Sequence, residues 1–428
     1  RISFAAHYPC AFHSPIAFIC PYSFIFTMNT LARSKNLLTR IARNNRCCST
    51  YQAEIDPKKM VVTVTGNPKD KQSFEDLKFG KSFSDHMLEI DWDAEKGWHD
   101  PKISPYHFFS MSPAATALHY GIECFEGMKA YKDREGRIRM FRPDKNMARL
   151  HHSMTRLAMP GFNADGFLDC LKTLLRLDES WVPDKEGYSI YIRPTAIGTS
   201  PYLGVEAAQH IKLYAILSPV GPYYKSGFKP VKLFADTVHT RAWPGGVGNA
   251  KVGGNYGPTI LPSQIAAKKH DANQVLWLYG ADHQITEVGA MNIFFLIKKR
   301  DGSGNELVTA PLTRGDILAG VTRDSILEMT RAWQSNAGPG AGVVKNMDVS
   351  ERWLTMGEVL EAHKEGRLLE AFGAGTAVVV SPVKCIMYKD QQIELPTGED
   401  AGPVAKHVWN TLMDVQYGKI EHPWSVVI

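Results

Sequence analysis

The 428-residue sequence lacks the features that define several protein classes. After residue 27 it contains no run of about 18 apolar residues without charge, so we predict no membrane span. It has no CxxC pair, and the cysteines that follow residue 53 are only Cys124, Cys170 and Cys385. This pattern predicts neither a disulfide framework nor a metal site, and it favours a reduced, intracellular protein.

Acidic residues are missing from the first part of the chain. Residues 1–53 contain six Lys or Arg and no Asp or Glu, so the net charge of +5 originates in this segment. Residues 54–428 contain 43 basic and 44 acidic side chains. A nearly neutral body argues against nucleic acid as a partner.

The basic N-terminal extension, residues 1–53, has the composition of a targeting sequence. From Met28 it is rich in Arg and contains Ser and Thr, and Leu31, Leu38 and Ile41 share one helix face. These properties are typical of a mitochondrial transit peptide, so we predict a location in the mitochondrial matrix. The alternative is a disordered basic tail without a targeting role. We interpret residues 1–27 as upstream sequence translated in error.

Apolar patterns in the body alternate between the helix and strand periods. Helical spacing is found in residues 147–160, 165–183, 322–333 and 356–366. Strands are expected in residues 188–198, 211–221, 231–236, 274–280 and 291–299. Residues 366–383 are interpreted as a helix end followed by a Gly-rich turn and a buried strand.

The turn-rich stretch 221–230 is interpreted as a linker between two domains. It separates a small domain, residues 54–220, from a large domain, residues 231–428. The mixture of elements predicts α/β and α+β folds that flank a crevice, which is a common position for a ligand.

A Gly-rich loop, RAWPGGVGNAKVGGNYGPT (241–259), surrounds a single lysine, Lys251. It is not a Walker loop, because Ala250 and Val252 flank the lysine, and no GxGxxG motif opens a helix here. Glycines let the main chain approach a ligand closely. A desolvated lysine in such a loop is a nucleophile toward aldehydes. The alternative, which the loop alone favours, is a solvated loop lysine.

A carboxylate is expected at the end of a buried strand in ITEVGAMNIFFLI (285–297). Glu287 precedes Gly289 and an almost uncharged apolar run. A buried acid requires a cationic or hydrogen-bonding partner, and the protonated ring nitrogen of pyridoxal phosphate is one such partner. The alternative is a buried ion pair with an arginine.

Three segments supply candidate anion ligands. Gly320, Val321 and Thr322 stand at a predicted helix N-terminus, where free N–H groups favour an anion. Thr376 lies in the Gly-rich turn FGAGTAV, and Arg149 follows FRPDKNM. Each of these segments has a plainer interpretation as a helix cap, a turn or a surface residue. In ALHYGIECFEGMKAY (117–131), Tyr120 and Phe125 are likewise compatible with a core.

Together these segments resemble the branched-chain amino acid aminotransferases, which are pyridoxal-phosphate enzymes of fold type IV. The resemblance extends from about residue 79 to the C-terminus. It includes, in order, LHYG, CFEGMKAY, FRPDKNMARL, YIRP, the Gly-rich loop, VLWLYG, ITEVGAMN and FGAGTA. It implies a two-domain fold with the active site in the interdomain crevice, pyridoxal 5'-phosphate as cofactor, and a homodimer.

The resemblance also implies roles for individual residues around the cofactor. Lys251 would bind the cofactor covalently, Tyr256 would hydrogen-bond the pyridoxal O3′, and Glu287 would keep the ring nitrogen protonated. The phosphate would be bound by Arg149, by the main-chain N–H groups of Val321 and Thr322, and by Thr376, with Arg241 supporting that end of the site.

The same resemblance implies an apolar substrate pocket shared between two subunits. Phe79, Phe125, Tyr191 and Tyr256 would line it from one subunit, and Tyr120, Leu203 and Val205 would complete it from the partner. Tyr223 in the linker would help to close over the substrate, and the N–H of Ala377 would help to bind the substrate carboxylate.

Two departures from the pattern stand near these motifs. The animal mitochondrial enzymes carry a redox CxxC after GTA, where this sequence has Val378 and Ser381, so we expect no thiol switching by that pair. The residue after EVG is commonly Thr but is Ala290 here. The missing hydroxyl is expected to affect affinity or substrate preference.

The implied activity is the reversible transfer of the amino group of Leu, Ile or Val to 2-oxoglutarate, giving the branched-chain 2-oxo acid and glutamate. Two other enzymes of the same fold, a D-amino-acid aminotransferase and an aminodeoxychorismate lyase, are alternatives. LHYG and YIRP favour the branched-chain interpretation. A cofactor-binding protein without catalysis and a redox-sensing scaffold are further alternatives, which the presence of Lys251 and Glu287 and the missing CxxC disfavour.

Overall fold

The computed structural model describes residues 53–222, 228–342 and 346–428. The predicted transit peptide, on which the localisation rests, lies outside these residues. Within them no helix combines the length and apolarity that a membrane crossing requires. The same residues contain no group of three or more His, Cys, Asp or Glu side chains that could hold a metal ion.

Alternating apolar residues in the first half of the described chain build a large, mostly antiparallel sheet. In one of its long strands Ile211, Leu213 and Ala215 are buried while the residues between them are not, as the period of two requires. The strands are β1 Val61–Val62, β2 His86–Asp93, β3 Gly97–Trp98, β4 Lys102–Pro105, β5 Glu123–Phe125, β6 Met128–Lys132, β7 Ile138–Phe141, β8 Ser189–Gly198 and β9 His210–Val220.

Two long helices cover this sheet, and a short one precedes β5. They are α1 Thr116–Tyr120, α2 Pro143–Arg156 and α3 Ala164–Leu177. The predicted apolar stripe of α3 is confirmed, because Phe167, Cys170 and Leu174 are buried in the core of the sheet. The predicted bounds differ: α2 begins at Pro143, whose fixed φ suits a first helical turn, and α3 already ends at Leu177.

The second half forms a mixed sheet with helices packed on it. Its strands are β10 Val231–Asp236, β11 Gln274–Tyr279, β12 Gln284–Val288, β13 Asn292–Lys298, β14 Asn305–Thr309, β15 Met347–Glu351, β16 Leu368–Gly375, β17 Val379–Tyr388 and β18 Gln391–Glu394. The helices are α4 Ile260–His270, α5 Val321–Gln334, α6 Met356–Lys364 and α7 Pro403–Gln416. β10 runs parallel to β11 and β17, whereas β13, β16 and β17 pair in antiparallel fashion.

The prediction for residues 366–383 is wrong in part. Leu368–Gly375 is strand β16 and not the end of a helix, so the segment is a strand, a tight turn and a second strand. β16 lies between β13 and β17, and most of its residues are buried. A strand buried on both faces has no period of two that would identify it from sequence.

The last strand, β19 Ser425–Val427, pairs with β7 of the first sheet. The C-terminus therefore returns to the sheet built by the first half of the chain. The predicted linker, 221–230, falls between β9 and β10 and lies partly outside the described residues. The domain boundaries 54–220 and 231–428 remain a prediction. Strand β19 lies within residues 231–428 but pairs with a strand of residues 54–220, which the sequence does not indicate.

Candidate active site

A cavity of about 280 Å³ lies between the two sheets and is lined by residues of both. Its volume is close to the lower end of the roughly 300–1,000 Å³ usual for small-molecule sites. The cavity brings together most of the residues that the sequence predicts. Its lining includes Phe79, Phe125, Arg149, Tyr191, Lys251, Tyr256, Glu287, Val321, Thr322, Thr376 and Ala377.

The main chain of Lys251 is held in place by the first sheet and its helices. Its N–H donates to Ser153 Oγ on α2 at 2.8 Å, and its carbonyl accepts from the N–H of Phe125 at 3.0 Å. The Asn255 side-chain amide donates to the carbonyls of Val247 and Ala250, which closes the loop on itself. Lys251 is therefore a fixed residue of the cavity wall and not a solvated loop lysine.

The amine of Lys251 is surrounded by aromatic groups. It donates a hydrogen bond of 3.0 Å to the Tyr256 hydroxyl and lies 4.6 Å from the centre of the Phe125 ring. The rings of Phe125 and Tyr256 are 5.0 Å apart. Phe79 and Tyr191 form a second aromatic pair in an edge-to-face arrangement, 4.8 Å apart. These rings give the cavity an apolar wall beside the amine of Lys251.

Glu287 is buried on β12 with only 2% of its surface exposed. Its Oε2 lies 3.1 Å from Nε of Arg241, and its Oε1 accepts the N–H of Leu318 at 2.8 Å. Burial raises the pKa of Glu287, while Arg241, the N–H of Leu318 and the charge of Lys251 oppose this shift. The alternative of a buried ion pair with an arginine is thus present, and the same carboxylate also lines the cavity.

The N-terminus of α5 opens into the cavity. Gly320 precedes the helix in an extended conformation, and no side chain caps the free N–H groups of the first turn. A Cβ at Gly320 would lie 2.1 Å from Oδ1 of Asn292, so a glycine is required for this close approach. Val321 and Thr322 follow directly and line the cavity. A helix start of this kind favours an anion.

Arg149 on α2 joins this helix start to a buried acid. It donates to both oxygens of Glu126, at 2.7 and 2.8 Å, and to the carbonyl of Ala319 at 2.9 Å. Glu126 is fully buried and also accepts from the Asn146 side chain. Glu126 was not predicted from the sequence, although a single acid between Phe125 and Gly127 in an apolar motif is a signal for a buried partner.

Thr376 and Ala377 lie in the tight turn that joins β16 to β17. Lys129 on β6 donates from its ammonium group to the carbonyl of Ala377 at 2.7 Å, which connects the turn to the first sheet. Val379, just after the turn, has a φ of 65°. This conformation is unfavourable for a β-branched residue, so the surrounding packing must hold the turn in shape.

Arg193 on β8 also lines the cavity, although it was not predicted as a site residue. Its guanidinium lies 4.7 Å from the Phe125 ring centre and donates to the Tyr191 hydroxyl at 3.2 Å. Its buried Nε has no hydrogen-bond partner among the described residues. The arginine of the YIRP motif was the available signal. The site therefore has a cationic group at its aromatic wall.

Some predicted residues lie away from the cavity of this chain. Tyr120, Leu203 and Val205 are exposed, with 39%, 65% and 81% of their surfaces accessible. The Tyr120 hydroxyl donates to the carbonyl of Leu203 at 2.5 Å, so these residues lie together on one surface. Tyr223 lies outside the described residues. Ala290 lines the cavity, whereas Val378 and Ser381 line a neighbouring one.

Comparison with known proteins connects this geometry to a family. Residues 123–386 match the family described as Amino-transferase class IV. Solved structures with the same fold include a branched-chain aminotransferase of Thermoproteus uzoniensis with norvaline, with a TM-score of 0.58 and 23% identity over 79% of this chain and 98% of that one. The Thermobaculum terrenum enzyme in its PLP form has a TM-score of 0.60 at 20% identity, covering 81% and 99%.

Curated relatives are more similar in sequence. A branched-chain-amino-acid aminotransferase of Monosiga brevicollis is 47% identical over 87% of this chain and 93% of its own length. A mitochondrial enzyme of that name from Schizosaccharomyces pombe is 48% identical over 87% and 85%, and a cytosolic one from Saccharomyces cerevisiae is 47% identical over 88% and 98%. This chain therefore belongs to the class IV aminotransferase family, within its branched-chain-amino-acid aminotransferase group.

Proposed function

We propose that this chain is a branched-chain amino acid aminotransferase that uses pyridoxal 5'-phosphate as its cofactor. It transfers the amino group of Leu, Ile or Val to 2-oxoglutarate, giving the branched-chain 2-oxo acid and glutamate. The observation that carries the proposal is the position of the Lys251 amine, 3.0 Å from the Tyr256 hydroxyl, in a cavity that contains a helix N-terminus and a buried carboxylate.

The residues present fit this cofactor. The uncapped start of α5 and the close approach at Gly320 form a cradle for a phosphate, to which Arg149 and Thr376 would contribute. Tyr256 would hold the phenolic oxygen of the ring. Glu287, once ionised, would hold the protonated ring nitrogen, and Arg241 and the N–H of Leu318 orient this carboxylate.

The chemistry divides between the cofactor and the chain. When bound, pyridoxal phosphate supplies an electron sink for the negative charge that develops at the substrate Cα. Lys251 Nζ would take the proton from Cα and deliver it on the same face to C4′ of the cofactor, and its main chain is fixed for this by Ser153 and Phe125. The N–H of Ala377 binds the substrate carboxylate, and Lys129 orients that turn from behind.

The lining of the pocket accounts for two different substrates. Phe79, Phe125 and Tyr191 provide apolar area for a branched side chain, whereas the Arg193 guanidinium suits the distal carboxylate of 2-oxoglutarate or glutamate. Arginine binds carboxylates well, and its flat face can lie on an aromatic ring when no carboxylate is present. One pocket thus accepts both partners of the reaction.

Two further proposals concern the setting of the enzyme. The exposed surface formed by Tyr120, Leu203 and Val205 supports a homodimer in which each subunit completes the pocket of the other. The basic, acid-free segment from Met28 supports import into the mitochondrial matrix, and the relatives include both mitochondrial and cytosolic forms.

The test is a direct assay of the purified chain with its cofactor. Glutamate formation is measured with L-leucine, L-isoleucine, L-valine and D-alanine as amino donors and 2-oxoglutarate as acceptor. We expect activity with the three branched L-amino acids and none with D-alanine. Activity with D-alanine alone, or release of pyruvate from aminodeoxychorismate, would assign the chain to another enzyme of this fold.

A further inference from the structure

Strands β5 and β8 bring an acid and an arginine to one face of the first sheet. Glu123 pairs with Ile197 and Phe125 pairs with Thr195 in the antiparallel register. Because side chains two residues apart share a face, Glu123, Phe125 and Arg193 point to the same side of the sheet. The guanidinium of Arg193 over the Phe125 ring agrees with this placement.

The Glu123 carboxylate lies against the loop that carries Lys251. A Cβ built on Gly253 would stand 1.6 Å from Oε1 of Glu123, so the carboxylate lies directly against the main chain of Gly253. Gly253 is two residues beyond Lys251. The half-buried Glu123 carboxylate therefore lies beside the active-site loop.

The charges of Glu123 and Arg193 interact electrostatically, although the two side chains form no ion pair. Burial raises the pKa of Glu123, and the charge of Arg193 opposes that shift. The charge of Glu123 raises the pKa of the Tyr214 hydroxyl on the neighbouring strand β9, and the charge of Arg193 lowers it. Among the ion pairs of the described residues, none joins Arg193 to an acid, so its charge has no contacting counter-ion while Glu123 is held nearby.

We propose that Glu123 is a positioning residue that balances the charge of Arg193 while the pocket holds an apolar side chain, and that it thereby disfavours acidic substrates. The proposal rests on the aminotransferase function described above. An apolar amino acid leaves the Arg193 charge to be balanced by Glu123. The distal carboxylate of 2-oxoglutarate must bind Arg193 in the repulsive field of Glu123.

The test is Glu123→Gln, with kcat and KM measured separately for each substrate in the holoenzyme. Removing the negative charge is expected to lower the KM for 2-oxoglutarate by about three- to ten-fold. This is the size expected for the repulsion between two charges at a dielectric constant between those of water and of the protein interior. The KM for L-leucine and all kcat values are expected to stay within about two-fold of wild type. Glu123→Asp keeps the negative charge, so its KM for 2-oxoglutarate should be close to that of the wild type.

Two further variants separate this effect from a general disturbance. Glu135→Gln removes an exposed acid from the turn between β6 and β7 and should leave every KM unchanged. In an Arg193→Met background, Glu123→Gln should no longer lower the KM for 2-oxoglutarate. An unchanged or raised 2-oxoglutarate KM in Glu123→Gln, or an equal change for L-leucine, overturns the inference. Failure of the wild-type enzyme to form glutamate from L-leucine would instead overturn the proposed function.

Discussion

Arg149 donates to both carboxylate oxygens of Glu126 in the interior of the protein, from Nε at 2.7 Å and from Nη2 at 2.8 Å. Burial alone would raise the pKa of Glu126, but the charges and hydrogen bonds of Arg149, Lys251 and Asn146 hold it below its usual value. A pair removed from water in this way is stable only while both charges are present, because either charge alone would be buried without compensation.

Glu126→Gln is therefore expected to destabilise the protein strongly. The substitution leaves Arg149 buried without an anionic partner, so the free energy of unfolding should fall by about 3–5 kcal/mol. Urea unfolding of the cofactor-free protein measures the loss. Glu186→Gln is the control, because it breaks an exposed pair with Lys419 that is worth at most about 1 kcal/mol. Equal losses in both variants would contradict the role of Glu126.

Lys251→Met is expected to abolish transamination and the visible absorbance of the covalently bound cofactor. The variant removes both the nucleophile and the group that moves the Cα proton, so activity should fall by at least about 1,000-fold. Stopped assays with L-leucine and an absorbance spectrum of the dialysed protein measure the two effects. Lys268→Met, on the exposed face of α4, is the control and should keep both properties. Normal turnover in Lys251→Met would refute the assignment of the amine.

Lys129 makes the stability of the protein depend on pH. It is 8% exposed, and burial lowers the pKa of its amine to about 8 from a usual value of 10.5. An amine whose pKa is lower in the folded protein than in the unfolded chain destabilises the folded state wherever it is protonated there. The free energy of unfolding is therefore highest above the pKa of the unfolded chain, and it decreases as the pH falls through the pKa of the folded protein. Below about pH 8 the folded protein must accommodate a buried charge.

The free energy of unfolding of the wild type, relative to Lys129→Met, is therefore expected to rise by about 2 kcal/mol between pH 7 and pH 9.5. Denaturant unfolding of the two cofactor-free proteins at several pH values gives this difference directly. The same comparison with Lys268→Met should show no change with pH, since that side chain is exposed. If the difference in the free energy of unfolding between the wild type and Lys129→Met did not change with pH, the amine would not be desolvated in the folded state.

Sequence patterns located the reactive groups better than their partners. Lys251 and Glu287 stand in segments whose glycines and apolar runs are unusual, and both line the cavity. Glu126 was missed, because a buried charge is recognised by its counterpart, and Arg149 lies 23 residues from Glu126 on another element. Separation along the chain hides such pairs from any local pattern.

The same reason applies to the tether between Lys129 and Ala377, whose residues are 248 positions apart. The amphipathic helix α3 was predictable because its burial repeats with the helical period. Strand β16 was not, since neighbours on both sides bury it and leave no alternation to detect.

The exposed surface of Tyr120, Leu203 and Val205 gives a test of the dimer. A monomer gains nothing from exposing these apolar groups, and in the proposed dimer they complete the substrate pocket of the partner. The double variant Leu203→Asp, Val205→Asp is expected to sediment as a monomer and to raise the KM for L-leucine about ten-fold or more through the lost apolar contacts. Val64→Asp changes an equally exposed residue elsewhere and is the control. A double variant that stays dimeric with an unchanged KM would place the subunit interface on another surface.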